Sequence, residues 1–387
     1  MPHPSQRHPT SARIRRPLAM MGVVGSLLAT STSAALADDR PLRSIDPGHG
    51  TDKVVVAHRG ASGYLPEHTL AAKAMAYAQG ADFLEQDVVM SKDDQLVVLH
   101  DRFLDRVTNV AEVFPERARD DGRRYYAIDF TLDELRKLSF SEGFTVKDGE
   151  QVADYPERFP LGKSHFGLHT LSEEIEMIQG LNHSTGRDVG LYVEIKAPWF
   201  HQSEGKQVAR AVLETLKHYG YVAQDDNAVV QIFDPNGLKR IHDTLQPELE
   251  MDLRLVQLMG ETSWDMTFQP DAAGKLEPYD YDWMYQEGGM QRIATYADGI
   301  GPWKPMVIED SSTRDDIKVT PLVEEAHAQG LIVMPYTFRL DEGRIPDWAS
   351  DYDDMLRTFF VDARVDGVFT DYPDRAVQWL KQHGDAL

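Results

Sequence analysis

Short runs of apolar, β-branched residues recur along the chain, separated by amphipathic stretches. The strand-like runs cover residues 54–57, 83–89, 96–99, 191–195, 229–232, 252–256, 297–300, 331–336 and 367–370. Apolar positions at helical spacing mark residues 70–79, 171–180, 205–219, 235–245, 319–330 and 372–383, with Gly80, Gly220 and Gly330 at helix-ending positions. Alternating β and α units predict a parallel sheet, and eight of them close as a TIM (β/α)8 barrel, an α/β fold.

Nine strand candidates are one too many for that barrel. The connection between 83–89 and 96–99 is too short for a parallel crossover, and its Lys92-Asp93-Asp94 core is turn chemistry. These two runs therefore read as an antiparallel hairpin. A turn centred near Lys92-Asp93 brings His100 back opposite Glu85 to Asp87. Residues 101–168 interrupt the alternation with charge and turn residues and read as a small insertion near the catalytic face of the barrel. Inside it, a predicted helix at 131–138 opens on Thr131 and Glu134 as a capping box. A second irregular segment, 260–290, is acidic and aromatic and reads as a lid or as the surface of a homodimer.

The N-terminus changes the picture of the mature chain. Arg7, Arg13, Arg15 and Arg16 precede an apolar run from Leu18 to Ala29, and Ala35-Leu36-Ala37 fits the small-residue cleavage rule. Residues 1–37 are expected to be a signal peptide, with 38–387 the mature periplasmic or secreted chain. Four arginines and no acid lie in that segment, so cleavage takes the formal charge from −23 to −27. So acidic a surface repels nucleic acid and anionic lipid headgroups and favours small-molecule chemistry without stable membrane insertion. The absence of cysteine excludes disulfides, thiolate metal sites, a cysteine nucleophile and a lipid-modified cysteine anchor.

The chemistry concentrates near the ends of the first strands. Glu85 and Asp87 are two apart on a strand and so share a face, which is costly unless a cation binds there. Glu194 is a third carboxylate at the end of another strand. Three carboxylates make a hard oxygen site suited to Ca²⁺ or Mg²⁺ rather than Zn²⁺. Lys196 follows Glu194 at same-face spacing, and Arg59 beside His58 offers the fork that phosphate prefers. Taken singly, a strand-end histidine is more often structural than catalytic. Phe233, Trp303, Tyr336 and Phe338 are aromatic candidates for a substrate pocket, with ordinary rim packing the competing assignment. Asp371 reads as structural, capping the last helix or bracing His58, and His165, His169 and His183 as surface or packing residues.

The ordered motifs HRGASGYLPEHTL, EQD, LVVLHD, VEIK, MPYTFR and GVFTDYPD resemble the glycerophosphodiester phosphodiesterase family, and most closely its secreted bacterial branch. The resemblance implies a TIM barrel that hydrolyses glycerophosphodiesters (deacylated phospholipids) to sn-glycerol 3-phosphate and an alcohol. It implies His58 and His100 as the general acid/base pair and Glu85, Asp87 and Glu194 as ligands of a divalent metal, Ca²⁺ above Mg²⁺. It implies Arg59 and Lys196 as phosphate contacts, and Glu67 as a residue that orients the site by hydrogen bonding or binds there. The nucleophile is water or the adjacent glycerol hydroxyl, and the resemblance favours the latter, through a cyclic phosphate. Alternatives are the same chemistry on glycerol-phosphate polymers or intact lipids, and a non-catalytic envelope binding protein. The acidic charge opposes intact lipids, and the presence of both imidazoles opposes mere binding.

Overall fold

The computed structural model describes residues 49–384 apart from 120–122 and 272. The predicted signal peptide at 1–37 lies outside the described residues. Eight parallel strands carry the fold: β1 (Val54–Ala57), β2 (Phe83–Met90), β3 (Gly190–Ile195), β4 (Ala228–Ile232), β5 (Arg254–Leu258), β6 (Gly299–Gly301), β7 (Ile332–Val333) and β8 (Gly367–Thr370). Neighbours run in the order β7-β6-β5-β4-β3-β2-β1-β8. Backbone bonds close the ring between the ends: Asp366 N–H to Val333 O at 3.0 Å, Phe369 N–H to Pro335 O at 3.1 Å and Phe338 N–H to Phe369 O at 2.8 Å.

Strand alternation divides the core in two. Val54, Val56, Phe83, Tyr192, Val229, Val256, Met334 and Phe369 fill the barrel interior. Val55, Ala57, Leu84, Val88, Leu191 and Val193 face outward and pack in the larger cluster with the helices. Phe83 thus fixes the inward parity of β2, and Glu85 and Asp87 follow it toward the barrel axis. Gln86, between them, points outward and donates to Glu174 Oε1 at 2.9 Å.

The predicted hairpin forms. Leu96–Val98 pairs antiparallel with β2 in the register Val88↔Val98, Val89↔Val97 and Met90↔Leu96. Leu99 N–H then donates to Asp87 O at 2.9 Å, which delivers His100 beside the carboxylates.

Several predicted boundaries shift. The run at 252–256 becomes Arg254–Leu258, and 331–336 shrinks to Ile332–Val333 because Pro335 has no amide to donate. The helix predicted at 171–180 continues through Gly180 to Thr185 and ends at Gly186 with φ +71°. That predicted at 235–245 is α-helical over Pro235–Arg240 and π-helical over Ile241–Leu245. The predicted 131–138 helix is shorter, Leu132–Leu135, with the Thr131–Glu134 capping box formed. Insertion residues Leu104, Val107, Val110, Phe130, Leu135, Leu138 and Phe140 build a satellite core on the hairpin residues Val89, Val97 and Leu99. The 260–290 segment supplies Trp264 and Met266 to the wall of the central cavity.

Candidate active site at the barrel mouth

His58 follows β1 and is held from two sides. Its amide donates to Thr370 O at 3.0 Å, and its Nδ1 lies 2.7 Å from Asp371 Oδ1. Asp371 takes the bracing role rather than the helix-capping one, since the final helix, Pro373–His383, has no side-chain cap. With Nδ1–H bonded to a carboxylate, the Nε2 lone pair is left for chemistry. Burial pushes the His58 pKa down to about 3, helped by Arg59 and opposed by Asp371. Asp371 also accepts from Arg158 Nη2 at 2.5 Å and Arg339 Nε at 2.9 Å.

Arg59 has φ +58°, a left-handed conformation, and its amide donates to Glu85 Oε2 at 2.6 Å. Gly60 follows with φ +89°, where an added Cβ would lie 2.8 Å from the Ala72 carbonyl carbon. The HRG tripeptide is thus a tight turn that presents an amide and a guanidinium to the carboxylates of β2. Glu67 accepts from Arg59 Nη1 at 2.7 Å. Against the burial that raises it, Arg59 and then His100 hold the Glu67 carboxyl at about 2. Glu67 therefore orients Arg59, and it is not among the residues of the cavity wall.

Asp87 and Glu194 are register partners on adjacent strands, and Glu85, Asp87 and Glu194 are all buried. Lys196 Nζ bonds Glu194 Oε1 at 2.6 Å and lies 3.5 Å from Asp87 Oδ1. Burial and Asp87 push the Glu85 carboxyl well up. Burial raises Glu194 to about 8, with Lys196 opposing and Asp87 adding. Against burial, Lys196 and His100 hold Asp87 well below the usual carboxylate range. Burial and mutual repulsion thus disfavour the ionised forms of Glu85 and Glu194, and a bound cation would offset both. Asp87 Oδ1 is buried with no hydrogen-bond partner among the described residues, which fits a cation at this point.

One group that can hold a metal ion is His68, Glu85 and Asp87, with one ligand atom from each within 4.8 Å of the others. His68 was not singled out from sequence. Its Nε2 lies 2.7 Å from Asp87 Oδ2, and a histidine next to Glu67 in a loop carries no metal-ligand spacing. Glu194, expected as a ligand, lines the same cavity as Glu85 and also accepts from Lys196 through Oε1 at 2.6 Å.

His100 follows the hairpin and turns its Nδ1 toward Asp101 Oδ1 at 2.8 Å. Its side chain is 27% exposed against 11% for His58, so it is the more open imidazole. Burial, then Arg59 and Lys196, lower its pKa. His58, Arg59, Glu85, His100, Glu194 and Lys196 share one cavity of about 440 Å³. Phe233 and Tyr336 form part of its wall, their rings edge-to-face at 6.0 Å. Trp303 joins them and meets Trp264 edge-to-face at 5.2 Å. Phe338 does not: it is fully buried and packs on Phe359 at 4.8 Å, because past Pro335 the chain no longer alternates as a strand.

Behind the site, Lys73 donates to Glu174 Oε1 at 2.8 Å and to the Glu85 carbonyl, and His169 Nε2 lies 2.6 Å from Glu174 Oε2. His169 is thus a buried packing residue, whereas His165 and His183 are exposed. Arg158 was also missed. It comes from the insertion, and no local pattern signals that it reaches the partner of His58.

The chain matches the Glycerophosphoryl diester phosphodiesterase family over residues 58–375. A glycerophosphodiester phosphodiesterase of Haemophilus influenzae is 51% identical over 332 residues, 86% of this chain and 90% of that protein. One from Treponema pallidum is 43% identical over 334 residues, 86% of this chain and 93% of that protein. Among solved structures, an Oleispira antarctica phosphodiesterase in complex with the product sn-glycerol-3-phosphate shares the fold. Its TM-score is 0.55 at 20% identity, covering 84% of this chain and 96% of that one. The strand-end histidines, the carboxylates between them and the match across most of both chains agree: this chain belongs to the glycerophosphoryl diester phosphodiesterase family.

Proposed function

We propose the following division of labour for the glycerophosphodiester hydrolysis of this enzyme. Glu85, Asp87 and Glu194 would hold one divalent cation, with His68 fixing the Asp87 carboxylate. Oxygen donors of this kind suit Ca²⁺, then Mg²⁺. When bound, the metal supplies charge neutralisation at the phosphodiester. Arg59 and Lys196 take the remaining phosphate oxygens, which stabilises charge as it builds in the transition state.

His58 and His100 move the proton. His58, held by Asp371 through Nδ1 so that Nε2 is left free, suits the base that deprotonates the nucleophile. The nucleophile is the glycerol hydroxyl next to the phosphate, or water. His100, more open and beside the anionic phosphate, suits the acid that protonates the leaving alkoxide. Phe233 and Tyr336 give the glycerol an apolar wall. The products are sn-glycerol 3-phosphate and the free alcohol. The observation that carries this reading is the convergence of both imidazoles, Glu85, Glu194, Arg59 and Lys196 on one cavity. Release of sn-glycerol 3-phosphate from glycerophosphocholine in the presence of Ca²⁺ tests it; faster turnover of a micellar phospholipid would overturn it.

We also propose that residues 1–37 direct export and are removed, so that the enzyme works in the periplasm or outside the cell. The basic start, the apolar run and Ala35-Leu36-Ala37 support this. N-terminal sequencing of the protein made in a bacterial host should read from Asp38; an intact Met1 overturns the proposal.

A further inference from the structure

The barrel order places β6 across the mouth from β2, and β7 across from β3. The segments that follow β6 and β7 bring Lys304, Arg339 and Arg344 to the cavity that also holds Arg59 and Lys196. Arg59 and Lys196 sit with the carboxylates of β2 and β3, where the reacting phosphate belongs. The second cationic group lies on the far wall.

Its charges are short of partners. Lys304 Nζ donates to Arg344 O at 3.4 Å and to Met355 Sδ at 3.6 Å, and among the described residues no carboxylate pairs with it. Arg344 is exposed and likewise has no carboxylate within ion-pair reach among the described residues; its guanidinium stands 5.4 Å from the Tyr155 ring. Arg339 shares Asp371 with His58 and Arg158. Asp310, also in the wall, is exposed and beyond ion-pair reach of either cation. Burial and then Arg339 lower the Lys304 pKa to about 8, the condition of an ammonium that lacks its counter-charge. What sets Lys304 and Arg344 apart is their place: both line the cavity that holds the reacting groups.

We propose that Lys304 and Arg344 form a second anion subsite, so that this enzyme favours glycerophosphodiesters whose alcohol carries a further anionic group, phosphate or carboxylate. The inference rests on the hydrolase reading above and adds the substrate class to it. Charge-assisted bonds from an ammonium and a guanidinium are strong enough in a partly desolvated cavity to discriminate such ends. Trp264 and Trp303 near the same wall offer faces to a cationic headgroup instead, and that is the competing outcome.

Three diesters separate the cases: sn-glycero-3-phosphoglycerol (neutral end), the same compound with a terminal phosphate, and glycerophosphocholine. The wild type should show a kcat/KM on the order of tenfold higher for the phosphate-ended diester than for the neutral one, mostly through KM. A fourth diester, ended in glycerate, tells the two anions apart: a kcat/KM above that of the neutral diester assigns carboxylate as well as phosphate to the subsite, and one no higher assigns phosphate alone. Lys304→Met and Arg344→Gln should each erase the preference while the neutral diester is turned over within about twofold of wild type. Equal kcat/KM on the neutral and phosphate-ended diesters, preference for glycerophosphocholine, or variants that slow both diesters equally would overturn the subsite. If no diester is turned over, the hydrolase reading falls by itself. Calorimetric titration of the phosphate-ended diester into wild type and Lys304→Met then decides the subsite: weaker binding by the variant supports it, and equal affinity overturns it.

Discussion

Asp371 and His58 stand 313 positions apart in the chain, and in the barrel Asp371 Oδ1 lies 2.7 Å from His58 Nδ1. Arg158 Nη2, from the insertion, lies 2.5 Å from the other oxygen of the same carboxylate and 2.6 Å from Asp341 Oδ2. The insertion therefore fixes the carboxylate that fixes the imidazole. Asp371→Asn should keep the fold and lower kcat by roughly 10²–10⁴-fold, because an amide no longer favours the tautomer with Nε2 free. Arg158→Met should also act on kcat more than on KM. Steady-state kinetics beside circular dichroism measure this; a wild-type kcat in Asp371→Asn would remove the brace from the mechanism.

His58→Ala and His100→Ala should each cost roughly 10²–10⁴-fold in turnover with little change in thermal stability. Their losses should not multiply in the double variant, since both imidazoles serve one proton-transfer sequence. Single-turnover assays on all three proteins test this, and fully multiplicative losses would argue for independent roles.

Chelation should abolish activity, and Ca²⁺ should restore it. The cation should also raise the melting temperature, because it relieves the buried repulsion among Glu85, Asp87 and Glu194. Calcium titrations followed by differential scanning calorimetry provide a readout apart from turnover. Full activity after exhaustive chelation would refute the metal role.

Glu142 gives a pH prediction away from the metal ligands. Its side chain is 4% exposed, 3.9 Å from Arg158, and burial raises its pKa to about 8 against the pull of Arg158. The folded state thus keeps a proton that the unfolded chain loses near 4.5, the ordinary glutamate value. Its contribution to stability is full below that value and falls as pH rises toward 8. Glu142→Gln should flatten that slope and stabilise the protein at the alkaline end by on the order of 1–3 kcal/mol. Urea melts at a series of pH values measure it, and an unchanged slope in the variant would count against the assignment.

Barrel strands were legible because β-branched runs buried on both faces are a strong local signal. Boundaries were less so: Pro335 cut one strand short through a missing amide, and the helix from Leu171 ran through Gly180 to Thr185 because its packing outweighed one glycine. The hairpin was legible because its connection is too short for anything else.

By itself the sequence determined the chemistry of the site. It spaced Glu85 and Asp87 onto one face, returned His100 to them through a local turn, and put Lys196 on the face of Glu194. Each of these follows from the two-residue period of a strand or the length of a turn. Only the tertiary structure decided who stands behind those residues. Asp371 meets His58 through barrel closure, and Arg158 reaches both from the insertion; His68 on Asp87, and Lys304 with Arg344 across the mouth, come from loops after neighbouring strands that only packing brings together. Local periodicity specifies which way a side chain points; which distant side chain it meets is set by strand order and by burial of charge, and no short stretch of sequence encodes either.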